Sequence, residues 1–378
     1  MSANGRFVAF ESLTTTLTEV IRGIFVHDLR TGTTVGASLG LTGNHFPNGD
    51  SFNPTISASG RFVAFESLAS NLVAADSNAK RDIFVRDLRT GKTVRASVDS
   101  VRNQANGDSR NPAISANGRF VAFESDATNL VGGDGNGRRD IFVHDLRIGR
   151  TVRASVDSAG NQANGDSFSP AISGNGRFVA FSSSATNLVG GDTNGSSDIF
   201  VHDLKTGETV RASVDSVGNQ ADGSSVGLAI SANGRVVAFL SDATNLVDTD
   251  TNGLLDVFVH DLRTGKTVRA SVDSAGNQAN GEPFFRPVLS ANGRFVAFDS
   301  SASNLVAGDT NSVIDTFVHD LRTGKTVRVS VNGLGDQADG KSLFPAISAN
   351  GRVVVFASDA TNLVAGDTNG VRDIFVHK

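Results

Sequence analysis

The stretch PAISANGRFVAF at residues 112–123 decides the fold of this chain. Its core, G-R-[FV]-V-[AV]-F, recurs seven times in 378 residues, at intervals of 55, 58, 58, 58, 59 and 58 residues. A fixed period of this length is typical of repeat architectures, in which similar units bury their apolar faces by stacking. The seven recurrences begin at Gly5, Gly60, Gly118, Gly176, Gly234, Gly293 and Gly351.

One repeat predicts four β-strands, which we name A to D. Residues 112–115 predict a short strand A, and the Asn-Gly pair that follows is a hairpin signal before strand B at residues 119–125. After a polar loop, residues 140–146 predict strand C and residues 151–156 predict strand D. Strands B and C are apolar on both faces, D alternates, and A is made of small residues, while a helical period is absent. We therefore expect an all-β fold, a β-propeller of four-stranded antiparallel blades with A innermost and D outermost.

The number of blades follows from counting strands. The sequence contains seven B and seven C strands but six A and six D strands, because the first repeat lacks A and the last stops at Lys378 before D. We predict seven blades with incomplete terminal blades, six blades being the alternative, in a single domain spanning residues 1–378. Incomplete terminal blades could also pair with another copy of the chain. The predicted repeats are approximately 1–53, 54–111, 112–169, 170–227, 228–286, 287–344 and 345–378.

The repeat pattern resembles a known family. P-A-I-S-x-N-G-R-F-V-A-F followed by D-I-F-V-x-D-L-x-T-G is similar to the TolB-type (WD40-like) propeller repeat of bacteria, over essentially the whole chain. It departs in having Ala-Asn where that family usually has Pro-Asp, and Phe where it usually has Tyr in strand C. The resemblance implies a propeller that binds other molecules, in some relatives beside a hydrolase domain. It also implies a bacterial periplasmic or extracellular location, although the chain starts within repeat sequence and shows no signal peptide.

Composition excludes several classes of function. The 34 basic and 39 acidic residues give a net charge of -5 without a basic cluster, which argues against nucleic acid as a partner. The absence of cysteine excludes disulfides and thiolate metal sites, and no run of 18 apolar residues predicts a membrane span. The 25 Phe residues are accompanied by no Trp or Tyr, which disfavours a stacking platform for bases or sugars.

The long loops predict a functional face. Loops B–C and D–A should share one end of every blade, where a rigid scaffold presents binding residues. Loop B–C carries D-x-N-x-x-x-D, whose side-chain oxygens are of the kind that calcium prefers, whereas Asx turns without a metal are the alternative. The first repeat has only Glu19 there. Acids of the D–A loops could complete a coordination sphere: Asp50, Asp108, Asp166, Asp222 and Glu282. The candidate calcium ligands are Asp76, Asn78, Asp82, Asp134, Asn136, Asp140, Asp192, Asn194, Asp198, Asp250, Asn252, Asp256, Asp309, Asn311, Asp315, Asp367, Asn369 and Asp373.

Histidine and arginine recur at fixed positions of the repeat. We predict that the histidines of strand C are structural and pack against the neighbouring blade, and that His45 is solvated. The Arg that opens strand B and the Asp that ends strand C should form cross-strand ion pairs. Arg153 and its equivalents on strand D are expected at the outer rim. The strand C position holds His27, Arg86, His144, His202, His260, His319 and His377.

The near-identity of the blades guides the prediction of function. No catalytic motif is present, and a catalytic site needs different residues in different roles. The main expectation is therefore a non-catalytic binding or scaffold propeller, not an enzyme, with a protein or glycan ligand on the loop face and calcium as a candidate stabilising ion. A lectin-like glycan-binding propeller is one alternative. The propeller module of an envelope enzyme is another, and a unique cluster at residues 39–50 or 282–287 would support it.

Overall fold

The structure is a computed structural model that describes residues 1–15, 20–41 and 46–378. Glu19 and His45, both named above, lie outside the described residues. The described part of the chain contains 26 β-strands and no helix, and the strands form seven antiparallel sheets. The all-β prediction is confirmed.

The strands follow the chain in the order of the repeats. Sheet by sheet, their bounds are β1 Phe7–Thr15, β2 Val20–Asp28, β3 Thr33–Gly36; β4 Ser51–Ile56, β5 Phe62–Ser67, β6 Asp82–Asp87, β7 Lys92–Arg95; β8 Ser109–Ile114, β9 Phe120–Ser125, β10 Asp140–Asp145, β11 Arg150–Arg153; β12 Ser167–Ile172, β13 Phe178–Ser183, β14 Asp198–Asp203, β15 Thr209–Arg211; β16 Ser225–Ile230, β17 Val236–Ser241, β18 Asp256–Asp261, β19 Lys266–Arg269; β20 Val288–Leu289, β21 Phe295–Ser300, β22 Asp315–Asp320, β23 Lys325–Arg328; and β24 Ser342–Ile347, β25 Val354–Ser358, β26 Asp373–His377.

Five sheets have four strands in the order A-B-C-D, whereas the first and the last have three. The first sheet lacks strand A and the seventh lacks strand D, as the strand count predicts. Contacts divide the chain into two compact units. Unit 1 comprises residues 1–191 and 201–210, unit 2 comprises residues 192–200 and 211–378, and the boundary runs through the fourth sheet. The single domain stays a prediction.

Strand limits differ most from the sequence-based ones in strands A and D. Strand A begins at Ser109 rather than at residue 112, because a β-bulge between Arg110 and Ala113 lets the chain continue the ladder. Strand D ends at Arg153, since the amide of Ile141 bonds to the hydroxyl of Ser155, at 3.0 Å, instead of to a backbone carbonyl.

The core of each unit lies between successive sheets. In unit 1, Phe123 of β9 and Phe142 of β10 are opposite each other, with ring centroids 6.0 Å apart, and both are fully buried. They pack with Ala64 and Val85 of the preceding sheet in one cluster. Unit 2 repeats this arrangement around Phe298 and Phe317. A single sheet could not bury such aromatic residues alone, which is why the repeats must stack.

The Asn-Gly turn between strands A and B explains the most regular part of the pattern. Gly118 has a φ of 72°, and a Cβ there would lie 2.2 Å from Cδ2 of Phe62 in the preceding sheet. Asn117 closes the turn, because its side-chain oxygen accepts a hydrogen bond from the amide of Arg119 at 2.9 Å. The turn thus requires glycine both for its backbone conformation and for close packing of neighbouring sheets.

Candidate functional site

The predicted calcium loop of the third sheet surrounds an arginine. Arg153 of β11 places Nη1 3.4 Å from Oδ1 of Asp134 and 3.2 Å from Oδ2 of Asp140. All three side chains are buried. Asn136 donates to the same Asp140 oxygen at 3.0 Å. The guanidinium therefore lies where the sequence analysis expects a cation to be coordinated.

In each of the other complete sheets the strand D arginine pairs with at least one of the two loop aspartates. The expectation that strand D arginines line the outer rim is wrong, because the two loop carboxylates need a buried cation and the arginine supplies it. The sequence signal was the arginine at one fixed position of each complete strand D. The ion pairs are Arg95 with Asp76 and Asp82, Arg211 with Asp198, Arg269 with Asp250 and Asp256, and Arg328 with Asp309 and Asp315.

These buried carboxylates are costly to charge. Burial raises the pKa of Asp140 in spite of Arg153 and of the hydroxyl that Ser155 donates. The fit is loose, because Arg153 is more than 3 Å from both carboxylates and Oδ2 of Asp134 has no hydrogen-bond partner. The arginine thus compensates charge more than it forms good hydrogen bonds.

The calcium prediction gains no support. Among residues 1–15, 20–41 and 46–378, no group of three or more His, Cys, Asp or Glu side chains could hold a metal ion. The motif of each loop contributes only two aspartates, and in five of the six loops a strand D arginine pairs with at least one of them. The residues concerned are Asp76, Asn78, Asp82, Asp134, Asn136, Asp140, Asp192, Asn194, Asp198, Asp250, Asn252, Asp256, Asp309, Asn311 and Asp315.

The acids of the D–A loops bind backbone amides instead of joining the loop carboxylates. Asp108 accepts the amide of Arg81 at 3.0 Å, and Asp166 accepts that of Arg139 at 3.0 Å. Asp222 belongs to a different position of the repeat, where it accepts the amide of Thr244 at 2.7 Å. Asp50 and Glu282 accept the amides of Arg22 and Leu255.

The sixth loop, in the seventh sheet, differs from the others. Asp367, Asn369 and Asp373 repeat the motif, and Asn369 donates to Asp373 at 2.8 Å. Because the sheet has no strand D, no ion pair to either aspartate occurs in the described part of the chain. Ile374 of β26 is 42% exposed, whereas its equivalent Ile141 is 0% exposed.

The strand C histidines have the structural role that the sequence predicts. Nδ1 of His144 lies 2.8 Å from Oγ1 of Thr151 on strand D. The same threonine hydroxyl donates to the carbonyl of Val98, in the loop after the preceding sheet. Burial lowers the pKa of His144 to about 4, so the ring is neutral near pH 7. The equivalent pairs are His27–Thr34, Arg86–Thr93, His202–Thr209, His260–Thr267 and His319–Thr326.

Cross-strand ion pairs join strands B and C, as predicted. Nε of Arg119 is 2.9 Å from Oδ1 of Asp145, and the second guanidinium nitrogen bonds to the other oxygen. In the fifth sheet, hydrogen bonds from Arg235 lower the pKa of Asp261 to about 2. The other pairs are Arg6–Asp28, Arg61–Asp87, Arg177–Asp203 and Arg294–Asp320.

One segment breaks the near-identity of the sheets. The interval from Gly234 to Gly293 is one residue longer than the usual 58, and Pro283 and Pro287 flank the segment between them. Strand A of this sixth sheet is reduced to Val288–Leu289, where complete strands A elsewhere have six residues. Pro287 has a counterpart inside the six-residue strands A, such as Pro112 in β8. The extra residue and Pro283, which cannot donate to a ladder, are what distinguish this segment.

Asp299 organises this segment. It stands on strand B where the second sheet has Glu66, which pairs with Arg81 at 2.7 Å. Asp299 accepts the amide of Phe344 at 3.3 Å, as Glu66 accepts that of Asn111 at 2.6 Å. In place of the arginine pair, Asp299 accepts the amides of Phe284 and Phe285 at 2.9 and 3.0 Å. It is fully buried, and burial raises its pKa.

The outcome is a surface that we name the aromatic patch: Phe284, Phe285, Arg286 and Phe344. The rings of Phe285 and Phe344 have centroids 3.9 Å apart, and both remain exposed, by 37% and 48%. Phe284 is 52% exposed, and the Arg286 side chain is solvent-accessible although the atoms packed around it lower its pKa. The sequence analysis named residues 282–287 as one place where a unique cluster would support an enzyme module. The signals it missed were Phe344 at the matching position of the next repeat and the carboxylate of Asp299.

No family model and no curated protein matches this sequence. Solved structures do match. An oligogalacturonate lyase in complex with manganese superposes over 100% of this chain and 86% of its own, at 11% identity and a TM-score of 0.59. The fold is a β-propeller. A prolyl endopeptidase matches 98% of this chain and 50% of its own, at 9% identity and a TM-score of 0.57. TolB from Acinetobacter baumannii matches 99% of this chain and 80% of its own, at 16% identity and a TM-score of 0.44.

These matches correct the expectation of a non-catalytic binding or scaffold propeller that is not an enzyme. Propellers of this size include a lyase and part of a peptidase, so repeated blades do not argue against an enzyme. The symmetry argument was wrong because it weighed what the blades share, whereas the aromatic patch shows that one blade can carry residues of its own. Within the described residues, no helix is long and apolar enough to cross a membrane.

Proposed function

We propose that this chain is the propeller module of an enzyme that acts on a linear polymer, and that the aromatic patch holds the substrate. The observation that carries the proposal is the patch itself, in which the segment before β20 and Phe344 of β24 expose three phenylalanines and an arginine in an otherwise repetitive chain. Large exposed apolar groups beside a fixed charge are typical of binding sites. The similarity in fold to a lyase and a peptidase supports an enzyme.

An acidic oligosaccharide suits the patch best. The faces of Phe285 and Phe344 offer apolar surface to sugar rings, and Arg286 offers a guanidinium to a carboxylate. Asp299 fixes three backbone amides of the patch, so little ordering is needed on binding. Oligogalacturonate, after which the similar lyase is named, is the first substrate to test.

Manganese, which is present in that lyase structure, forms no part of this proposal. The histidines of strand C are committed to threonine hydroxyls in the complete sheets, and the described residues offer no other cluster that fits a metal. The residues of this chain therefore do not match such a site, and no step is assigned to a metal.

Calorimetric titration with oligogalacturonate tests the proposal. We expect the double variant Phe285→Ala/Phe344→Ala to bind at least ~10-fold more weakly than the wild type, because aromatic contacts of this kind contribute ~1 kcal/mol or more each. Phe46→Ala is the matched control, since Phe46 is an equally exposed phenylalanine in unit 1. Release of unsaturated product, followed by ultraviolet absorbance, measures cleavage in the same samples. Equal binding by the double variant would show that the patch is not the site.

A peptide is the second candidate substrate. The chain corresponds to about half of the prolyl endopeptidase, the share expected if it were one module of a peptidase. Apolar peptide side chains could pack on the same phenylalanines. Titration with blocked proline-containing peptides distinguishes the candidates. A neutral peptide should bind Arg286→Ala as tightly as the wild type, whereas oligogalacturonate should bind this variant more weakly. An envelope location, which the TolB-type repeat pattern supports, can be tested by cell fractionation.

A further inference from the structure

Arg286 occupies a position that lies within strand A in the other sheets. At this position the chain has a positive φ of 50° to 56° in five sheets. Strand A of the fifth sheet, β16, packs against that of the sixth, and a Cβ on Gly227 would lie 3.5 Å from Cβ of Arg286. The equivalents of Arg286 are Asn53, Asn111, Ser169, Gly227 and Phe344.

The backbone does not require glycine at position 227. Gly227 has a φ of 56°, the same as Phe344, and Ser169 also has a side chain at nearly this φ. What glycine leaves is space, because a Cβ there would lie 3.2 Å from Cδ1 of Leu240 and 3.5 Å from Cβ of Arg286. A larger side chain at position 227 would therefore compete for the room beside Arg286.

The strand B residue next to this position also differs in the fifth sheet. In the first three sheets it is a glutamate that pairs with an arginine and accepts the amide of the equivalent residue in the next sheet. Glu66, for example, pairs with Arg81 at 2.7 Å and accepts the amide of Asn111 at 2.6 Å. The fifth sheet has Leu240 instead, so it brings no carboxylate to Arg286 from this position.

Arg286 is therefore a guanidinium without a counter-ion. Its side chain has no hydrogen bond or ion pair within the part of the chain that the structure describes. Burial lowers the pKa of Arg286 and no acid of the described residues offsets this, whereas hydrogen bonds to Asp320 raise the pKa of Arg294. A cation that is partly removed from water and lacks a partner favours an anionic ligand.

We propose that Arg286 and the space left by Gly227 form a subsite for one carboxylate of the substrate, and that this subsite selects free uronate residues over their methyl esters. The inference rests on the proposed function and names the class of polymer that the aromatic patch takes, an unesterified polyuronate.

The chemistry of the two ligands explains the selection. A guanidinium binds a carboxylate through two parallel, charge-assisted hydrogen bonds. A methyl ester has no negative charge, so it would cover Arg286 without replacing the water that the guanidinium loses. The net charge of the chain is -5, so long-range attraction does not favour the acid over the ester. The preference must come from the subsite itself.

Calorimetric titration of the full chain with oligogalacturonate and with its fully methyl-esterified form tests the inference. We expect the wild type to bind the ester at least ~10-fold more weakly than the acid. Arg286→Gln removes the charge and should bind acid and ester with similar affinity. Gly227→Asn should bind the acid at least ~5-fold more weakly than the wild type, because its side chain takes the room beside the guanidinium. Asn53 and Asn111 already adopt the φ that this variant needs, and thermal unfolding checks that it folds.

Ser169→Asn is the matched control, because it makes asparagine at the equivalent position of the fourth sheet and should keep the wild-type affinities. If the wild type binds acid and ester alike while Phe285→Ala/Phe344→Ala weakens both, the aromatic patch is the site and the carboxylate subsite is wrong. If neither sugar binds the wild type, the proposed function and this inference both fail. The inference is also overturned if Arg286→Gln keeps the wild-type preference, if Gly227→Asn binds like the control, or if a blocked glutamate peptide binds more tightly than oligogalacturonate.

Discussion

The third and seventh sheets share nearly the same loop and strand C but differ in strand D. In the third sheet every residue of β10 is buried, whereas every residue of β26 in the seventh sheet is at least partly exposed. The third sheet also has Arg153 between its two loop aspartates, and the seventh has no such arginine. Strand D therefore supplies both the cover for strand C and the counter-charge for the loop.

The largest difference should appear in the aromatic core. Phe142→Ala removes a fully buried ring and should lower the free energy of unfolding by ~3–5 kcal/mol. Phe375→Ala, at the equivalent position of β26, removes a partly exposed ring and should cost less than half as much. Denaturant unfolding of both variants measures the difference. Equal losses would mean that cover by strand D contributes little to the core.

Removal of the buried arginine should have the next largest effect. Arg153→Met leaves Asp134 and Asp140 without a counter-charge and should cost ~3 kcal/mol. Arg150→Met is the control, since Arg150 is exposed on the same strand. If the two variants unfold alike, the arginine does not compensate the acids.

The pH dependence of Arg153→Met has a definite sign. Burial raises the pKa of Asp140 in the folded state, and loss of the arginine removes an influence that lowers it. A carboxyl with a raised folded pKa holds a proton that the unfolded chain has released, so stability falls as pH rises above ~4. The variant should therefore be closest to the wild type at acid pH, as denaturant unfolding at several pH values would show.

The histidines extend the comparison to single groups. Burial lowers the pKa of His144 to about 4 and lowers that of His377 as well. Because β26 is uncovered, we expect His377 to titrate at a higher pH than His144 in NMR spectra of the imidazole protons. A lowered folded pKa means that stability is lost as pH falls from ~6.5 towards 4. Equal titration midpoints for the two rings would contradict the difference in cover.

Much of the fold could be predicted from sequence because it depends on local pattern repeated at a fixed interval. The Asn-Gly turn at Gly118 and the apolar strands B and C gave the sheets, their order and the incomplete ends. The cross-strand pair of Arg119 and Asp145 followed from antiparallel register. These features depend on neighbours within one repeat.

Features that depend on three-dimensional packing could not be predicted. Arg153 is 13 or more residues from the loop aspartates, so the sequence did not connect them. The oxygen-bearing side chains of the loop, taken alone, predicted a calcium site. The aromatic patch combines Phe285 with Phe344, which belong to different repeats, and a buried Asp299. Composition alone gave no reason to join them.

A small effect is expected from the exposed ion pairs. Arg119→Ala removes the pair with Asp145 and should lower the stability only slightly, because the arginine side chain is 33% exposed. Arg352→Ala should change little, since Lys378 stands where the seventh sheet would need the aspartate. The pKa of Asp145 is lowered, so the contribution of the pair should be lost as pH falls below ~4. Thermal unfolding of both variants at pH 7 and pH 3 measures this.

The smallest effect should be that of calcium on the complete sheets. A ligand that binds only the folded state must raise the melting temperature, but the site between Asp134 and Asp140 already holds a guanidinium. We expect no shift that depends on these residues when millimolar calcium replaces a chelator. In Arg153→Met the two acids are left without that cation, so calcium should restore part of the lost stability there. A calcium-dependent rise in the wild type that Asp134→Asn abolishes would instead show that the arginine and the metal can exchange, and that the loops are calcium sites after all.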